Sequence, residues 1–492
     1  MHGPRYRTAS WSLLAVDLDS GKTVAELNPD RLAYTGSVRK LFSVSTALET
    51  LGAAHRFITP VYRRGTVRSG ILTGDLILVG SGDLTFGGRL TRSEGIEFTP
   101  FDHNDANNLG MAILTPQDPL LGLDMLARAV RASGISRVRG DVIVDDRLFK
   151  PYRVPNGNLL ITPILVNENM VDVALAPANI GRAASLTWRP MTDAFTVRSS
   201  VTTVKRGSAA QVALSNHGLA SCAWPRPCIG QVSGALPTGY RAPLSGSSTF
   251  VRTFRIEQPA SFARIAFVQA LKRAGVRVDA PATAPNAEAK LPPIVNYAAS
   301  SRVARFTSPP YAQDAKLILK VSLNLGANLS LSLAGVAHGQ RTLSGALRNE
   351  RAFLQHRFGI APASFDFPTN GSGSPDSRAS VRAVVKLLAA MSHTPDAAIL
   401  RSALPILGVD GSLSGTGTSL PARGHVFAKT GTTVDQSGLK AQNLAGYIVT
   451  KNRRRLAFAL FVNNVGPLKS FTDITNVFED EARITNVLYE RY

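Results

Sequence analysis

Gly36-Ser37-Val38-Arg39-Lys40 runs directly into Leu41-Phe42-Ser43-Val44-Ser45-Thr46-Ala47-Leu48, and this stretch decides the fold. Small and apolar residues recur at helical spacing and Gly52 supplies a stop, so the pattern predicts a helix. A serine and a lysine three residues apart lie on one face of a helix, one turn from each other. A primary amine is thereby brought within reach of a hydroxyl. Serine is a poor nucleophile until a base takes its proton. Lysine serves as that base when burial or a neighbouring cation lowers its pKa. Ser37 falls in the first turn, where backbone amides favour a developing oxyanion. Taken alone, the pair reads equally well as an N-capping serine beside a solvated lysine.

Two later stretches change that balance. One is Lys429-Thr430-Gly431-Thr432, preceded by Val426-Phe427-Ala428 and followed by the strand-like Leu444-Ala445-Gly446-Tyr447-Ile448-Val449. The other is Ser322-Leu323-Asn324, within an apolar stretch expected to form one helix or two over 315–336. S-x-x-K, S-x-N and K-T-G, in that order, are the signatures of acyl-transferring serine enzymes that recognise penicillin. The ordered triple is far more specific than any one member.

On these motifs the chain resembles the D-alanyl-D-alanine carboxypeptidases/endopeptidases of the class C low-molecular-mass penicillin-binding proteins. The likeness extends over nearly the whole chain. It is carried further by Gly74-Asp75-Leu76-Ile77-Leu78-Val79-Gly80-Ser81-Gly82-Asp83, Gly140-Asp141-Val142-Ile143-Val144-Asp145-Asp146, Asn370-Gly371-Ser372-Gly373 and the Leu404–Leu413 segment. About 280 residues separate Lys40 from Ser322, far more than a compact β-lactamase needs. In the family this excess is two inserted domains. The resemblance therefore implies an α+β fold: a β-lactamase-like catalytic domain, an antiparallel sheet with helices, interrupted by two largely β insertions. The expected division is 1–63 with 291–492 for the catalytic domain, 64–180 with 235–290 for the first insertion, and 181–234 for a small β domain nested in it.

The resemblance also implies roles. Ser37 is the nucleophile and Lys40 its general base. Ser322 relays a proton to the leaving amine, and Asn324 orients Lys40 and the substrate amide. Lys429, Thr430, Gly431 and Thr432 bind the substrate, with Lys429 on its terminal carboxylate. The backbone N–H groups of Ser37 and Thr432 form the oxyanion hole. No metal and no cofactor is called for. Three departures from the family pattern stand out: apolar Leu323 inside the second motif, no acidic residue in Leu325-Gly326-Ala327-Asn328, and Asn370 where the family carries Asp.

At 492 residues the chain is long enough for two to four domains. With 44% apolar and 18% charged residues it is globular in composition. A net charge of +21 suits anionic surroundings such as nucleic acid, a membrane face or a wall polymer. Lysine and arginine are scattered, however. Their densest run, Lys451-Asn452-Arg453-Arg454-Arg455, reads as a solvated hairpin turn rather than a nucleic-acid patch. Cys222 and Cys228 are a local disulfide if the protein is exported, or two reduced thiols in a loop. No run reaches 18 apolar residues, and Met1-His2-Gly3-Pro4-Arg5-Tyr6-Arg7 does not have the form of a signal peptide. The family nevertheless works outside the cytoplasmic membrane, so an exported, periplasmic location is expected.

Further along, 11–17 and 23–27 read as a hairpin, 444–449 and 456–462 as another, and 380–391 and 472–492 as helices. From residue 62 short strands with glycine breaks are expected, and 120–133 and 260–275 as helices. Short β runs over 186–214 suggest the small β insertion, with 222–243 at its edge. Asp410-Gly411 and Gly415-Thr416-Gly417 read as a flexible loop rather than a phosphate-binding one, since no Lys-Ser or Lys-Thr follows at Walker spacing. No H-E-x-x-H and no nucleophile elbow is present. The expected function is a serine D-Ala-D-Ala carboxypeptidase on peptidoglycan stem peptides, with cross-link endopeptidase activity as an extension. β-Lactams are expected as covalent inhibitors, nucleic acid is not a partner, and the charge suits peripheral association with an anionic membrane or wall. The alternatives are a β-lactamase or esterase on the same scaffold, or a wall-binding protein with a vestigial site.

Overall fold

In the computed structural model the chain forms two compact units. One comprises Met1–His55, Phe149–Ile161 and Pro310–Tyr492; the other comprises Arg56–Leu148 and Thr162–Pro309. The structure describes residues 3–109, 111–223, 225–293, 297–468 and 470–492. Met1 and His2 of the opening stretch, and Trp224 between the two cysteines, lie outside the described residues.

The first unit is built on a five-stranded antiparallel sheet. Its strands are β1 (Ser10–Asp17), β2 (Thr23–Leu27), β3 (Val426–Asp435), β4 (Gly438–Val449) and β5 (Arg455–Gly466), in spatial order β2-β1-β5-β4-β3. The two ends of the chain meet at its centre, with Trp11 opposite Val462 and Leu13 opposite Leu460. Around it stand α1 (Lys40–Leu51), α2 (Tyr311–Lys320), α3 (Asn324–Ala337), α4 (Leu343–Phe358), α5 (Val381–Met391) and α6 (Phe471–Arg491). Successive strand residues face opposite sides. Leu444 and Ile448 join Val477, Ala482 and Leu488 of α6 in one core. Tyr447, facing the other way, donates its hydroxyl to Leu388 O of α5 at 2.8 Å. With both faces covered, β1 and β5 are buried almost throughout, which is why residues 11–17 alternate only partly in sequence. The basic run at 451–455 sits at the β4–β5 turn. The short Phe149–Ile161 segment is tied in by Lys150 N to Arg341 O at 2.8 Å and by the Tyr152 hydroxyl, 3.1 Å from Asn328 O.

Of the two forms expected for 315–336, the structure has the two-helix one: α2 ends at Lys320 and α3 starts at Asn324, and Ser322, expected on a helix, lies in the intervening turn at φ +59°. Two further expectations are corrected. The region from residue 62 is one long hairpin, Arg56–Arg68 with Ile71–Val79, and the glycines do not break it. Gly65 sits opposite Gly74, and a Cβ on Gly74 would fall 1.8 Å from Arg64 O, so the pair is demanded by backbone approach. The proline- and glycine-rich 222–243 is not an edge. It supplies Arg226–Pro237, which lies between Phe195–Val204 and Gln211–Leu214. Local composition marks turns; it carries no information about non-local pairing. Cys222 and Cys228 form a disulfide.

The second unit packs its core around Val61, Leu76, Leu126, Val142, Phe254 and Phe267. Within it lies a buried ionic network. Arg89 binds Asp102 through both terminal nitrogens, at 2.8 and 2.6 Å, and also binds Glu168. His103 reaches Glu168 through Nε2 at 3.1 Å and Asp172 through Nδ1 at 2.8 Å. Arg189 Nε completes the set at 2.9 Å from Asp172. Three cationic side chains thus face three carboxylates. Asp102, His103 and Glu168 bring ligand-type atoms within 4.8 Å of one another, but those atoms are already engaged in ion pairs. Although burial opposes it, the Asp172 and Glu168 carboxylates raise His103 to about 10. Glu168, against its own burial, is lowered by Arg89 and His103 to about 2.

The consequence for stability has a definite sign. His103 contributes fully below its ordinary value of 6.5, and that contribution is lost as pH rises through about 10. Glu168 contributes above 4.5, and its share is lost as pH falls through about 2. Hydrogen-exchange protection of strand Met170–Ala176 is therefore expected to peak between pH 4.5 and 6.5 and to fall on either side. The fall amounts to about 1.4 kcal/mol for each tenfold gain in proton affinity, or in acidity, that folding had conferred. His103→Gln should lower protection overall and abolish the alkaline fall; an unchanged alkaline fall in the variant refutes this account.

Candidate active site

The helix expected over the first motif is a single turn of 3-10 helix, Gly36–Arg39, feeding α1. Ser37 and Lys40 keep the intended relation, and Lys40 Nζ lies 2.5 Å from Ser37 Oγ. The lysine is fully buried. Its amine also lies 2.6 Å from Asn324 Oδ1, 3.2 Å from Ser372 O and 3.3 Å from Ser322 Oγ. Three segments far apart in sequence thus converge on one nitrogen.

Ser322 can meet that nitrogen because the helix breaks. Its left-handed backbone, unfavourable for a residue with a Cβ by about 1–3 kcal/mol, swings the hydroxyl between two amines. Lys429 Nζ is 2.9 Å from the same Oγ. The turn is held from behind by Lys320, whose ammonium contacts Asp410 at 2.6 and 2.7 Å and Leu404 O at 2.6 Å. The 410–417 segment, expected to be flexible, is tied down there: Asp410 Oδ1 also accepts from Ile406 N, and Ser412 Oγ is 2.9 Å from Thr430 Oγ1. Leu323 is 1% exposed and belongs to the core.

β3, at the sheet edge, carries the third motif. Its approach to the Ser37 turn is at the limit of contact. A Cβ on Gly431 would fall 2.4 Å from Thr35 O and 3.1 Å from Ser37 N, and one on Gly36 would fall 2.9 Å from Thr432 N. Glycine at 431 lets the strand approach the backbone of the Ser37 turn this closely. That contact sets Thr432 N beside Gly36 and Ser37 N beside Gly431. Lys429 is fully buried and contacts Thr430 O at 2.9 Å as well as Ser322. The Thr432 hydroxyl donates to Gln442 Oε1 at 2.7 Å, and Gln442 Nε2 donates to Glu481 at 3.3 Å. Burial holds Glu481 well above the usual carboxylate range, the Gln442 hydrogen bond offsetting it only in part.

The departures noted in sequence have structural accounts. Asn370 Oδ1 accepts from Ser372 N, Gly373 N and Ser372 Oγ, while its Nδ2 donates to Thr369 Oγ1 and Ser374 O. An ionised aspartate could supply the acceptor but not the donors. Asn328 accepts from Gly371 N at 2.8 Å and donates to Asn324 O at 2.9 Å, joining two motifs without an acid.

Several of these residues were invisible in sequence. Arg39, inside the first motif, is fully buried, binds both oxygens of Glu350 and stacks 3.9 Å over the Phe367 ring. Neither it nor Glu350, Lys320, Gln442 or Glu481 sits in a recognisable pattern. The one available signal was an arginine between two catalytic-type residues on an apolar helix face.

The model of the D-Ala-D-Ala carboxypeptidase 3 (S13) family matches residues 1–481. The chain belongs to that family. A D-alanyl-D-alanine carboxypeptidase of Actinomadura sp. (strain R39) is 26% identical over 94% of this chain and 79% of its own. The carboxypeptidase DacB of Haemophilus influenzae is 22% identical over 97% and 90%. Among solved structures, penicillin-binding protein 4 of Haemophilus influenzae matches with a TM-score of 0.72 at 20% identity, covering 98% of this chain and 97% of that one. A predatory endopeptidase of Bdellovibrio bacteriovorus, solved with an immunity protein, matches at 0.51 and 14% identity, over 98% and 93%. At these identities the structural matches establish a shared fold, the S13 architecture of a sheet-and-helix unit with further sheets inserted.

Gly431→Ala should displace the Ser37 turn from β3 by a fraction of an ångström to an ångström. Acylation of this S13 chain by penicillin is expected to slow about 100-fold or more, the loss that such misplacement brings. The variant's far-ultraviolet circular dichroism should be unchanged. An acylation rate within about threefold of wild type would show that the contact does not matter.

Proposed function

We propose that the chain is a serine D-Ala-D-Ala carboxypeptidase that works through an acyl-enzyme. The observation that carries the reading is the buried Lys40 amine, 2.5 Å from Ser37 Oγ, with Ser322 bridging it to Lys429.

Ser37 gives its proton to Lys40 as Oγ bonds to the carbonyl carbon between the two D-alanines. The oxyanion is met by the amides of Ser37 and Thr432. Collapse of the tetrahedral adduct breaks the C–N bond, and the departing amine takes the proton from Lys40 by way of Ser322. Free D-alanine leaves and the shortened peptide stays as an ester on Ser37. Water then attacks the ester, its proton going to Lys40, and Ser37 Oγ–H is restored. Asn324 supports Lys40 through Oδ1, leaving its amide nitrogen for the substrate. Lys429 and Thr430 receive the terminal carboxylate as a charge-assisted pair. The edge strand β3 supplies backbone groups for an extended stem peptide. The Thr432 hydroxyl, already given to Gln442, contributes by fixing its own backbone.

Penicillin enters as a substrate whose leaving amine stays tethered, so the ester persists. Cleavage of cross-links needs the same groups with a longer amine-side chain, and a fold shared with a predatory endopeptidase is consistent with that extension. An extracytoplasmic location is supported by the Cys222–Cys228 disulfide, which suits an oxidising compartment. No helix among the described residues is long and apolar enough to cross a membrane. Peripheral association with an anionic membrane or wall surface follows from the net charge of +21. The second unit is further proposed to comprise two domains, 64–180 with 238–290 and a nested 181–237, the expected boundary at 234 extended so that strand Arg226–Pro237 is not cut.

Intact-mass spectrometry after incubation with penicillin G tests the nucleophile. One adduct is expected on wild type and none on Ser37→Ala, with release of D-alanine from a D-Ala-D-Ala-terminated peptide lost in the same variant. Lys429→Ala should weaken kcat/KM for that peptide by about 10²–10³-fold, as loss of a hydrogen-bonded charge partner does. A folded wild-type protein without an adduct would refute the reading. Rapid turnover of penicillin in place of a stable adduct would favour a β-lactamase.

A further inference from the structure

The positive charge of the chain is not evenly spread. Over the whole sequence 55 lysines and arginines stand against 34 acids, but between residues 181 and 255 nine stand against one, Asp193. In the structure part of this excess surrounds a cavity of about 700 Å³ in the second unit. Three arginines from three separate elements line it. Arg206 comes from the turn after strand Phe195–Val204, Arg241 from the turn after Arg226–Pro237, and Arg252 from strand Phe250–Arg255. Among the described residues no acid lines it.

The walls are ordered by aromatic packing. Tyr240 and Phe250 meet edge to face with ring centroids 5.4 Å apart, and the Arg252 guanidinium lies 4.3 Å from the Phe250 ring centre. Arg252 donates to Ala106 O at 2.8 Å and has no carboxylate partner among the described residues. It is half-buried, and that burial weakens its hold on its proton. Elsewhere in the same unit, buried cations are matched by carboxylates, as Arg89 is by Asp102 and Glu168. A desolvated cation left without an anion is unfavourable until an anion arrives. Guanidinium groups bind carboxylate and phosphate in a bidentate manner, and the aromatic walls offer an apolar surface to the ring or chain bearing the anion.

We propose that the Arg206–Arg241–Arg252 cavity is a second binding site, distinct from Ser37, for anionic groups borne by the cell-wall polymer. This rests on the reading of the chain as a peptidoglycan carboxypeptidase. The polymer that carries the scissile peptide also carries repeated carboxylates, and accessory wall polymers add phosphates. A site for these groups on the same chain raises the local concentration of stem peptides without touching the chemistry. Three arginines gathered around one cavity suit isolated anionic groups better than the continuous backbone of a nucleic acid, which a long basic groove would follow.

Co-sedimentation with purified sacculi tests this. Arg206→Glu/Arg241→Glu is the main variant, since both side chains are exposed. Arg252→Gln is the second, checked for folding by thermal unfolding. The control is Lys451→Glu/Arg453→Glu in the β4–β5 turn, which changes net charge equally. The expected result is at least about tenfold weaker retention for the Arg206/Arg241 variant, a smaller loss for Arg252→Gln, and little loss for the control. kcat/KM on a soluble D-Ala-D-Ala peptide should be unchanged in all. Sacculi stripped of phosphodiester-linked polymers separate the sources: retained binding assigns the carboxylates of peptidoglycan, and lost binding assigns phosphate. Equal loss in the control would mean bulk charge rather than a site and would overturn the proposal. So would retention within about twofold of wild type, or tighter binding of the wild-type chain to duplex DNA than to sacculi at the same salt. Penicillin acylation on the same preparations reports on Ser37 independently, so failure of the catalytic reading is distinguishable from failure of this one.

Discussion

A primary amine buried without water must be satisfied by the protein, and Lys40 is fully buried. Neighbours at 2.5 to 3.3 Å come from residues 37, 322, 324 and 372. Each needs its own support. The Ser37 turn is pinned through Arg39 to Glu350 on α4. The Ser322 turn is pinned through Lys320 to Asp410. The Ser372 carbonyl is presented by a loop wrapped around the Asn370 amide. The arrangement is thus a set of buried polar groups each completed by the next. Such a network is rigid when complete and unstable when any member is missing.

Close backbone approach is the second constraint. Gly431 meets Thr35 and Ser37, and Gly373 meets Gly36, where a Cβ would lie 1.9 Å from Gly36 O. The Ser37 turn is thereby clamped between the edge strand β3 and the Asn370–Gly373 loop, glycine backbone against backbone. The proposed pairing of the Ser37 and Thr432 amides on one oxygen depends on packing of this closeness.

The two units handle charge differently. Around Ser37 the two lysines face hydroxyls, an amide and carbonyls. In the second unit Arg89, His103 and Arg189 are already matched by Asp102, Glu168 and Asp172, and that network serves stability. Around the Arg206–Arg241–Arg252 cavity of the same unit, cations gather without an acid in the lining among the described residues.

The catalytic-type residues were legible because their chemistry is encoded in short spacings: Ser37 and Lys40 one helical turn apart, Ser322 and Asn324 flanking a single residue, and Lys429 to Thr432 in an unbroken run. The strands at 11–17, 444–449 and 456–462 and the helices at 380–391 and 472–492 were legible for a similar reason, since periodicity is a local property. The place of the break at 321–323 was not, although two helices were one of the forms expected, because an uninterrupted apolar run favours helix; the turn there is tied through Lys320 to an aspartate 90 residues on. Nor was the central place of Arg226–Pro237, whose partners are chosen by strand pairing across distance. By itself, then, the sequence determined which residues of catalytic type stand at the spacings of the family, and which family the chain belongs to. Only the tertiary structure decided which amines are buried, which carboxylate answers which cation, and how closely Gly431 approaches Ser37. Burial and contact depend on segments hundreds of residues apart, and no local pattern records them.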